Sequence, residues 1–184
     1  MRAFIAVEFS PEIKRKIHQI QEKLRRYKAD VKWVEENNYH LTLSFLGEIS
    51  REQAEAVISD ISSGLRGVSP FEIVLSGLGV FPNKRNPRVI WIGVTEGQKE
   101  LNLIYSFLKD ILHKREFEFS NNFTPHVTLG RVRSKNNIEN LVSSLPKINF
   151  TFREYISEIV LMESRLLPRG PIYTQISSFK LKKS

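Results

Sequence analysis

Residues 40–43 read His-Leu-Thr-Leu, and residues 126–129 repeat the same pattern as His-Val-Thr-Leu. In each copy a histidine and a threonine alternate with two apolar residues. Because residues i and i+2 of a β-strand point to the same face, each copy predicts an imidazole beside a hydroxyl and an apolar pair on the opposite face. The two stretches therefore predict two half-buried strands, each with a polar face.

The segments around the first copy predict a strand, a helix, the histidine strand and a second helix. Apolar residues between positions 13 and 24 recur at intervals of three and four, which is typical of an amphipathic helix. Ser10 is suited to cap that helix, and Ser50 with Gln53 forms a capping-box pattern that opens a second helix ending near residue 65. The predicted strands of this half lie at 3–9, 31–34, 40–46 and 71–78.

The same order recurs after residue 85. A strand at 88–94 precedes a second capping-box pattern, Thr95 to Gln98, and a helix with its apolar positions on one face. The second histidine strand is predicted at 126–132, a short helix at 138–145, and three further strands at 150–155, 159–163 and 173–181. His40 and His126 are 86 residues apart, close to half of the 184-residue chain. This spacing predicts an internal repeat.

The alternation of strands and helices predicts an α+β fold. We expect two pseudo-symmetric lobes, each with an antiparallel sheet and helices, and an active cleft between them. Residues 1–184 form a single two-lobed domain in this interpretation, with repeats at approximately 1–80 and 85–184 and interleaved lobes. No Gly/Ser-rich linker separates the two copies.

Composition restricts the chemistry and the partners. The chain has no cysteine, which excludes disulfides, thiolate zinc sites and cysteine nucleophiles. No apolar run approaches the length of a membrane span, and the amino terminus lacks a secretory signal pattern, so we expect a cytoplasmic protein with no membrane partner. A formal net charge of +8 favours nucleic acid or a phosphorylated substrate, although solubility alone would also explain it.

Two imidazoles on facing walls of a cleft are suited to acid–base chemistry near neutral pH. One neutral and one protonated histidine provide a general base and a general acid, an arrangement that suits in-line displacement at phosphorus. The hydroxyls of Thr42 and Thr128 would hydrogen-bond the non-bridging oxygens as charge develops there. The spacing of His40 and His126 leaves open which is the acid and which the base. His18 and His113 occur in helical patterns and are interpreted as structural.

The two histidine motifs, with their neighbours at residues 38–47 and 123–131, resemble those of the two-histidine phosphoesterases, specifically the LigT-like RNA 2',3'-cyclic phosphodiesterases, also called 2'-5' RNA ligases. Residues 1–6, 164–166 and 170–173 add to the resemblance, which covers nearly the whole chain. It implies a bilobed fold and metal-independent hydrolysis of an RNA 2',3'-cyclic phosphate to a 2'-phosphate, in some cases with 2'-5' joining of RNA ends. It also implies that His40 donates a proton to the leaving oxygen and that His126 accepts one from water.

The resemblance further implies that Arg131, five positions after the second histidine, contacts the substrate phosphate. Strict strand alternation places Arg131 on the face opposite His126, so this role requires a β-bulge or the end of the strand near Gly130. Phe45 and Tyr39 are candidates for stacking on a base. Alternation places Phe45 on the apolar face, which predicts that it packs in the core.

The expected substrate is RNA with a 2',3'-cyclic phosphate end, a tRNA fragment being one candidate, and the expected protein is a monomer without cofactor or metal. A non-enzymatic RNA-binding module is an alternative, but such a protein needs no paired histidine motif, and no RNP1-like run is present. A metallohydrolase is a second alternative, against which the sequence lacks metal-ligand spacing. A third alternative keeps the chemistry and acts on a small cyclic nucleotide.

Overall fold

The structure is a computed structural model that describes residues 1–65, 67–117, 122–168 and 170–182. It has the α+β composition predicted from the sequence. The strands are β1 Arg2–Glu8, β2 Val31–Trp33, β3 His40–Glu48, β4 Phe71–Phe81, β5 Val89–Glu96, β6 His126–Val132, β7 Phe152–Ile156, β8 Glu158–Leu167 and β9 Gly170–Lys180. The helices are α1 Pro11–Arg25, α2 Arg51–Gly64, α3 Gln98–His113 and α4 Ile138–Ser144, with short 3₁₀ segments at Glu36–Asn38 and Leu145–Lys147.

All strand pairs are antiparallel, and the strands follow one hydrogen-bonded order, β7-β4-β5-β6-β3-β1-β8-β9, with β2 attached to β6. At the centre, β3 and β6 meet at a single pair of Cα partners, Leu41 and Val127. The predicted two sheets are therefore two halves of one curled sheet, and they separate on either side of that pair. Strands from the two ends of the chain lie side by side, since β8 and β9 follow β1 in one half of the sheet. Strands β4 and β5 lie next to each other in the other half. The division into repeats at 1–80 and 85–184 stays a prediction.

Apolar faces of the helices pack on one side of this sheet. Ile17 and Leu24 of α1 and Leu108 of α3 are fully buried in the main core, as their helical spacing predicts. Alternate residues of β1 divide between the two sides, since Ile5 lies in the main core and Phe4 belongs to a separate small cluster on the other face. Within the described segments, no helix is long and apolar enough to cross a membrane.

The helix caps are predicted correctly in two cases and wrongly in one. The Ser10 side chain accepts a hydrogen bond from the backbone of α1, and the reciprocal Ser50–Gln53 capping box is present at α2. The capping box predicted for Thr95 and Gln98 is wrong, because β5 continues to Glu96 and the Thr95 hydroxyl is directed to the carbonyl of Val74 on β4. Gly97 caps α3 instead.

Gly97 satisfies two requirements at the turn from β5 into α3. Its φ of 81° lies in the left-handed region, which glycine adopts without the steric cost of a Cβ. A Cβ at this position would also lie 2.7 Å from the carbonyl oxygen of Glu72. The turn therefore depends on a glycine and leaves no place for a side-chain cap.

Candidate active site

His40 and His126 are the first residues of the two central strands, β3 and β6. The residues that follow them, Leu41 and Val127, form the one pair that joins these strands, so the two histidines lie close together on the same side of the sheet. A cavity of about 860 Å³ opens at this point, where the two halves of the sheet diverge. Its lining includes all five residues singled out from the sequence: His40, Thr42, His126, Thr128 and Arg131.

The two imidazoles are held in the same way. The Nδ1 atom of His40 lies 2.7 Å from the carbonyl oxygen of Asn38, and that of His126 lies 2.7 Å from the carbonyl oxygen of Thr124. A carbonyl oxygen only accepts, so each Nδ1 carries the proton in this arrangement and each Nε2 is the nitrogen left for proton exchange. The Nε2 of His40 also lies 3.0 Å from the hydroxyl oxygen of Thr42.

The pKa of each histidine is lowered from the ordinary value near 6.5. Burial is the main cause in both cases, because it disfavours the charged imidazolium, and the hydrogen bond to the backbone carbonyl opposes it only in part. Nearby positive charge adds to the decrease, from Lys14 at His40 and from Arg131 at His126. Both imidazoles of the free site therefore favour the neutral form at neutral pH. An anion bound between them would favour protonation of one.

Aromatic side chains restrict the position of both rings. The His40 ring lies 4.9 Å from that of Phe4 and 5.2 Å, edge to face, from that of Tyr173. The His126 ring packs edge to face on Phe81, with 5.0 Å between the ring centres. These contacts leave the imidazoles few alternative rotamers, which favours a fixed distance between their Nε2 atoms.

A β-bulge turns Arg131 toward the cavity. Thr128 is paired with Trp91, whereas Gly130 is paired with the preceding residue, Ile90, so that Leu129 is the additional residue of β6. The predicted bulge near Gly130 is thus confirmed. Beyond it, Arg131 is exposed and lines the same cavity as His126.

A second bulge corrects the prediction for Phe45. Thr42 and Ser44 of β3 pair with the adjacent residues Ala6 and Ile5 of β1, so Leu43 is an additional residue. The alternation is shifted after this point, which buries Ser44 and exposes 64% of Phe45. The prediction that Phe45 packs in the core is wrong, and its ring lines the cavity. Tyr39, the other aromatic candidate, is 1% exposed and belongs to the core.

Gln21 of α1 is a residue that the sequence analysis missed. It is fully buried, and its Nε2 donates hydrogen bonds to the carbonyl oxygens of Leu129 at 3.0 Å and Val34 at 2.7 Å. Its side chain thus ties helix α1 to the additional residue of the β6 bulge. The signal was present, because Gln21 is four residues after Ile17 and falls on the apolar stripe of α1, where a buried amide needs hydrogen-bond partners.

The charge of the cavity is predominantly positive. Its described lining contains Arg2, Lys32 and Arg131 but only one carboxylate, that of Glu35. The described residues include no group of three or more His, Asp or Glu side chains placed to hold a metal ion. Polar lining with an excess of cations suits an anionic ligand such as a phosphate ester.

Comparisons with known proteins give a consistent result. A sequence model of the family described as "LigT like Phosphoesterase" matches residues 7–91 and again residues 92–173. The RNA 2',3'-cyclic phosphodiesterase of Methanothermobacter thermautotrophicus is 35% identical over 98% of this chain and 99% of its own length, and that of Aquifex aeolicus is 36% identical over 98% and 97%. The crystal structure of E. coli LigT complexed with 3'-AMP superimposes with a TM-score of 0.80 at 25% identity, covering 98% of this chain and 97% of that one.

Proposed function

Because this chain belongs to the family of LigT-like phosphoesterases, we propose that it hydrolyses the 2',3'-cyclic phosphate at an RNA end to a 2'-phosphomonoester. The observation that carries this proposal is the pair of imidazoles on one cavity, each with Nδ1 bound to a backbone carbonyl, which leaves Nε2 as the nitrogen that exchanges a proton. His40 is the general acid and His126 the general base. This assignment of the two roles follows the family resemblance.

The reaction is an in-line displacement at phosphorus without a metal. A water molecule gives a proton to Nε2 of His126 as its oxygen forms a bond to phosphorus. The bond from phosphorus to the ribose O3' breaks, and O3' takes a proton from Nε2 of His40. The product carries the phosphate on O2'.

Negative charge develops on the non-bridging oxygens during this step. The hydroxyls of Thr42 and Thr128 and the guanidinium of Arg131 line the cavity on the same side as the imidazoles and would donate hydrogen bonds to those oxygens. The general acid must be protonated when the substrate is bound, whereas burial lowers the pKa of His40 in the free site. The negative charge of the cyclic phosphate favours imidazolium, so binding of the substrate supplies the required protonation state.

The same proton transfers would join RNA ends. If the 5'-hydroxyl of a second RNA replaces water, His126 accepts its proton, O3' leaves as before, and the product is a 2'-5' bond. The near-equivalent settings of the two imidazoles support a reaction that runs in both directions. Hydrolysis is the direction favoured by the high concentration of water.

We infer that the partner is RNA, a tRNA fragment being one candidate, and that the protein acts as a monomer. Phe45 offers an exposed aromatic ring in the cavity on which a base stacks, and the three cations of the lining favour a polyanion. The second candidate substrate is a small cyclic nucleotide. It is favoured by the similar structure of E. coli LigT, which holds 3'-AMP.

One assay tests the reaction and compares the two substrates. The purified protein is incubated with an oligonucleotide that ends in a 2',3'-cyclic phosphate and, separately, with 2',3'-cyclic AMP, and the phosphate isomer of each product is identified. We expect 2'-phosphate from both and a higher kcat/KM for the oligonucleotide. A 3'-phosphate product contradicts the mechanism. Tight binding of the oligonucleotide without turnover would instead support the RNA-binding module.

A further inference from the structure

Lys32 of β2 and Arg131 of β6 are directly opposite each other in the antiparallel pairing of these strands. Opposed residues of such a pair point to the same face, with Cβ atoms about 4.5–5.5 Å apart. Both side chains are exposed, and both line the cavity that contains the two histidines. Among the ion pairs of the described residues, none includes Lys32 or Arg131.

Two like charges in directly opposed positions destabilise a strand pair. The remaining structure does not relieve this repulsion, since Glu35, the one described carboxylate of the cavity lining, makes no ion pair with Lys32. A bound anion would relieve it. The proposed chemistry assigns the contacts to the reacting phosphate to Arg131, Thr42 and Thr128, so Lys32 is an additional cation that this chemistry does not use.

The level along β6 at which Lys32 is paired indicates which phosphate of a ligand its side chain would contact. Strand β3 contacts β6 only at Val127, beside His126, and β2 takes over the pairing at residues 130–132. Lys32 therefore lies level with Arg131 and beside it, farther along β6 than His126 and the β3–β6 contact. With Arg131 on the reacting phosphate, a phosphate that meets Lys32 would be a neighbouring one in the same ligand.

We propose that Lys32 binds a second phosphate of the substrate, the phosphodiester that links the terminal nucleotide to the rest of the RNA. This inference rests on the proposed function. A 2',3'-cyclic mononucleotide has no such phosphate, so Lys32 distinguishes RNA from a small cyclic nucleotide and takes no part in the bond-breaking step.

The test compares Lys32→Gln with two other variants. Lys32→Arg keeps the charge at the same place, and Lys99→Gln removes an exposed lysine of α3 that does not line the cavity. The rates are measured for a hexanucleotide that ends in a 2',3'-cyclic phosphate and for 2',3'-cyclic AMP, each at several salt concentrations.

We expect Lys32→Gln to lower kcat/KM for the hexanucleotide roughly five- to tenfold at low salt, mainly through KM, and to leave cyclic AMP hydrolysis unchanged. The slope of log(kcat/KM) against log[salt] for the hexanucleotide should become less steep by about 0.7, the value for one phosphate contact to a single strand. Lys32→Arg should keep the wild-type ratio of kcat/KM for the hexanucleotide to kcat/KM for 2',3'-cyclic AMP. Lys99→Gln should change kcat/KM for neither substrate.

Two results overturn the inference. An equal loss on both substrates places Lys32 at the reacting phosphate, and no loss on either shows that it meets no phosphate. If wild-type protein hydrolyses neither substrate, the proposed function fails separately, and binding of the same two ligands then decides the role of Lys32. In that case, equal affinity of the wild type and Lys32→Gln for the hexanucleotide overturns the inference that Lys32 binds a second phosphate.

Discussion

Phe45 and Arg131 occupy equivalent positions in the two halves of the sheet. Each lies five residues after a cavity histidine, and each follows a strand position at which one additional residue, Leu43 or Leu129, shifts the alternation. Both side chains line the same cavity as a result. The two halves of the sheet therefore place an aromatic ring on the His40 side and a guanidinium on the His126 side.

This difference between the two sides favours one orientation of the substrate in the cavity. A nucleobase has a face on which an aromatic ring stacks, whereas a phosphate needs donors and positive charge. The ribose of the leaving O3' would then lie on the side of His40 and Phe45. The reacting phosphate would lie toward His126 and Arg131, which agrees with His40 as the acid.

The first prediction compares Phe45→Leu with Arg131→Lys. Loss of a stacked ring costs roughly 1–3 kcal/mol for one base, so Phe45→Leu should raise KM by about 5- to 150-fold with little change in kcat. Arg131→Lys keeps the charge but loses the planar pair of donors, and because it acts on developing charge it should lower kcat as well. Steady-state kinetics on 2',3'-cyclic AMP measures both. A kcat effect at Phe45 as large as that at Arg131 would contradict the assignment.

The second prediction concerns the buried amide of Gln21. Gln21→Met keeps the length of the side chain but leaves the Leu129 carbonyl without this donor, which destabilises the bulge that directs Arg131. We expect a loss of about 1–3 kcal/mol in the free energy of unfolding, measured by urea denaturation, and a higher KM.

A double-mutant cycle separates positioning by Gln21 from simple loss of stability. If Gln21 acts through Arg131, Gln21→Met should raise KM much less in an Arg131→Ala background than in the wild type. Equal KM effects in the two backgrounds would show that Gln21 stabilises the fold without positioning Arg131.

The sequence predicted most of the elements because their signals are local. The helical spacing of α1, the capping box of α2 and the alternation around His40 and His126 each lie within one segment, and all were found in the structure. The bulge at Leu43 was missed because register depends on the partner strand, and the strict period of two then gave Phe45 the wrong face. At Thr95 the capping pattern competed with a strand pairing that only the tertiary structure specifies.

The third prediction concerns the pH dependence of hydrolysis. The base must be neutral and the acid protonated, which gives a bell-shaped profile. Because burial lowers both histidine pKa values in the free protein, kcat/KM should be greatest below pH 6.5 and should fall at higher pH as His40 loses its proton. Bound phosphate raises the pKa of His40, so the alkaline limb of kcat should lie at higher pH than that of kcat/KM. Coincident limbs would contradict this account.

The fourth prediction concerns chelation. The proposed acid, base and phosphate contacts are all side chains of this protein, so hydrolysis should continue at the same rate after dialysis against EDTA. The assay is repeated with added Mg²⁺, Mn²⁺ and Zn²⁺. Loss of activity after dialysis and recovery with one of these ions would show that the mechanism is incomplete.

The fifth prediction tests the two imidazoles as one proton-transfer system. His40→Ala and His126→Ala should each lower kcat on the order of 10²- to 10⁴-fold, with a much smaller change in affinity. Thr42→Ala and Thr128→Ala should have milder effects, because each removes one neutral hydrogen bond and leaves proton transfer intact. All variants are checked by circular dichroism for an unchanged fold.

The double variant makes this test decisive. Acid and base act on the same transition state, so removing one already prevents the other from contributing its full effect, and the double variant should lose far less than the product of the single losses. Each single variant should also lose one limb of the pH profile, the alkaline limb for His40→Ala and the acid limb for His126→Ala, because the remaining imidazole titrates alone. A single variant that keeps nearly the wild-type rate on a 2',3'-cyclic phosphate would show that its histidine transfers no proton in the rate-limiting step.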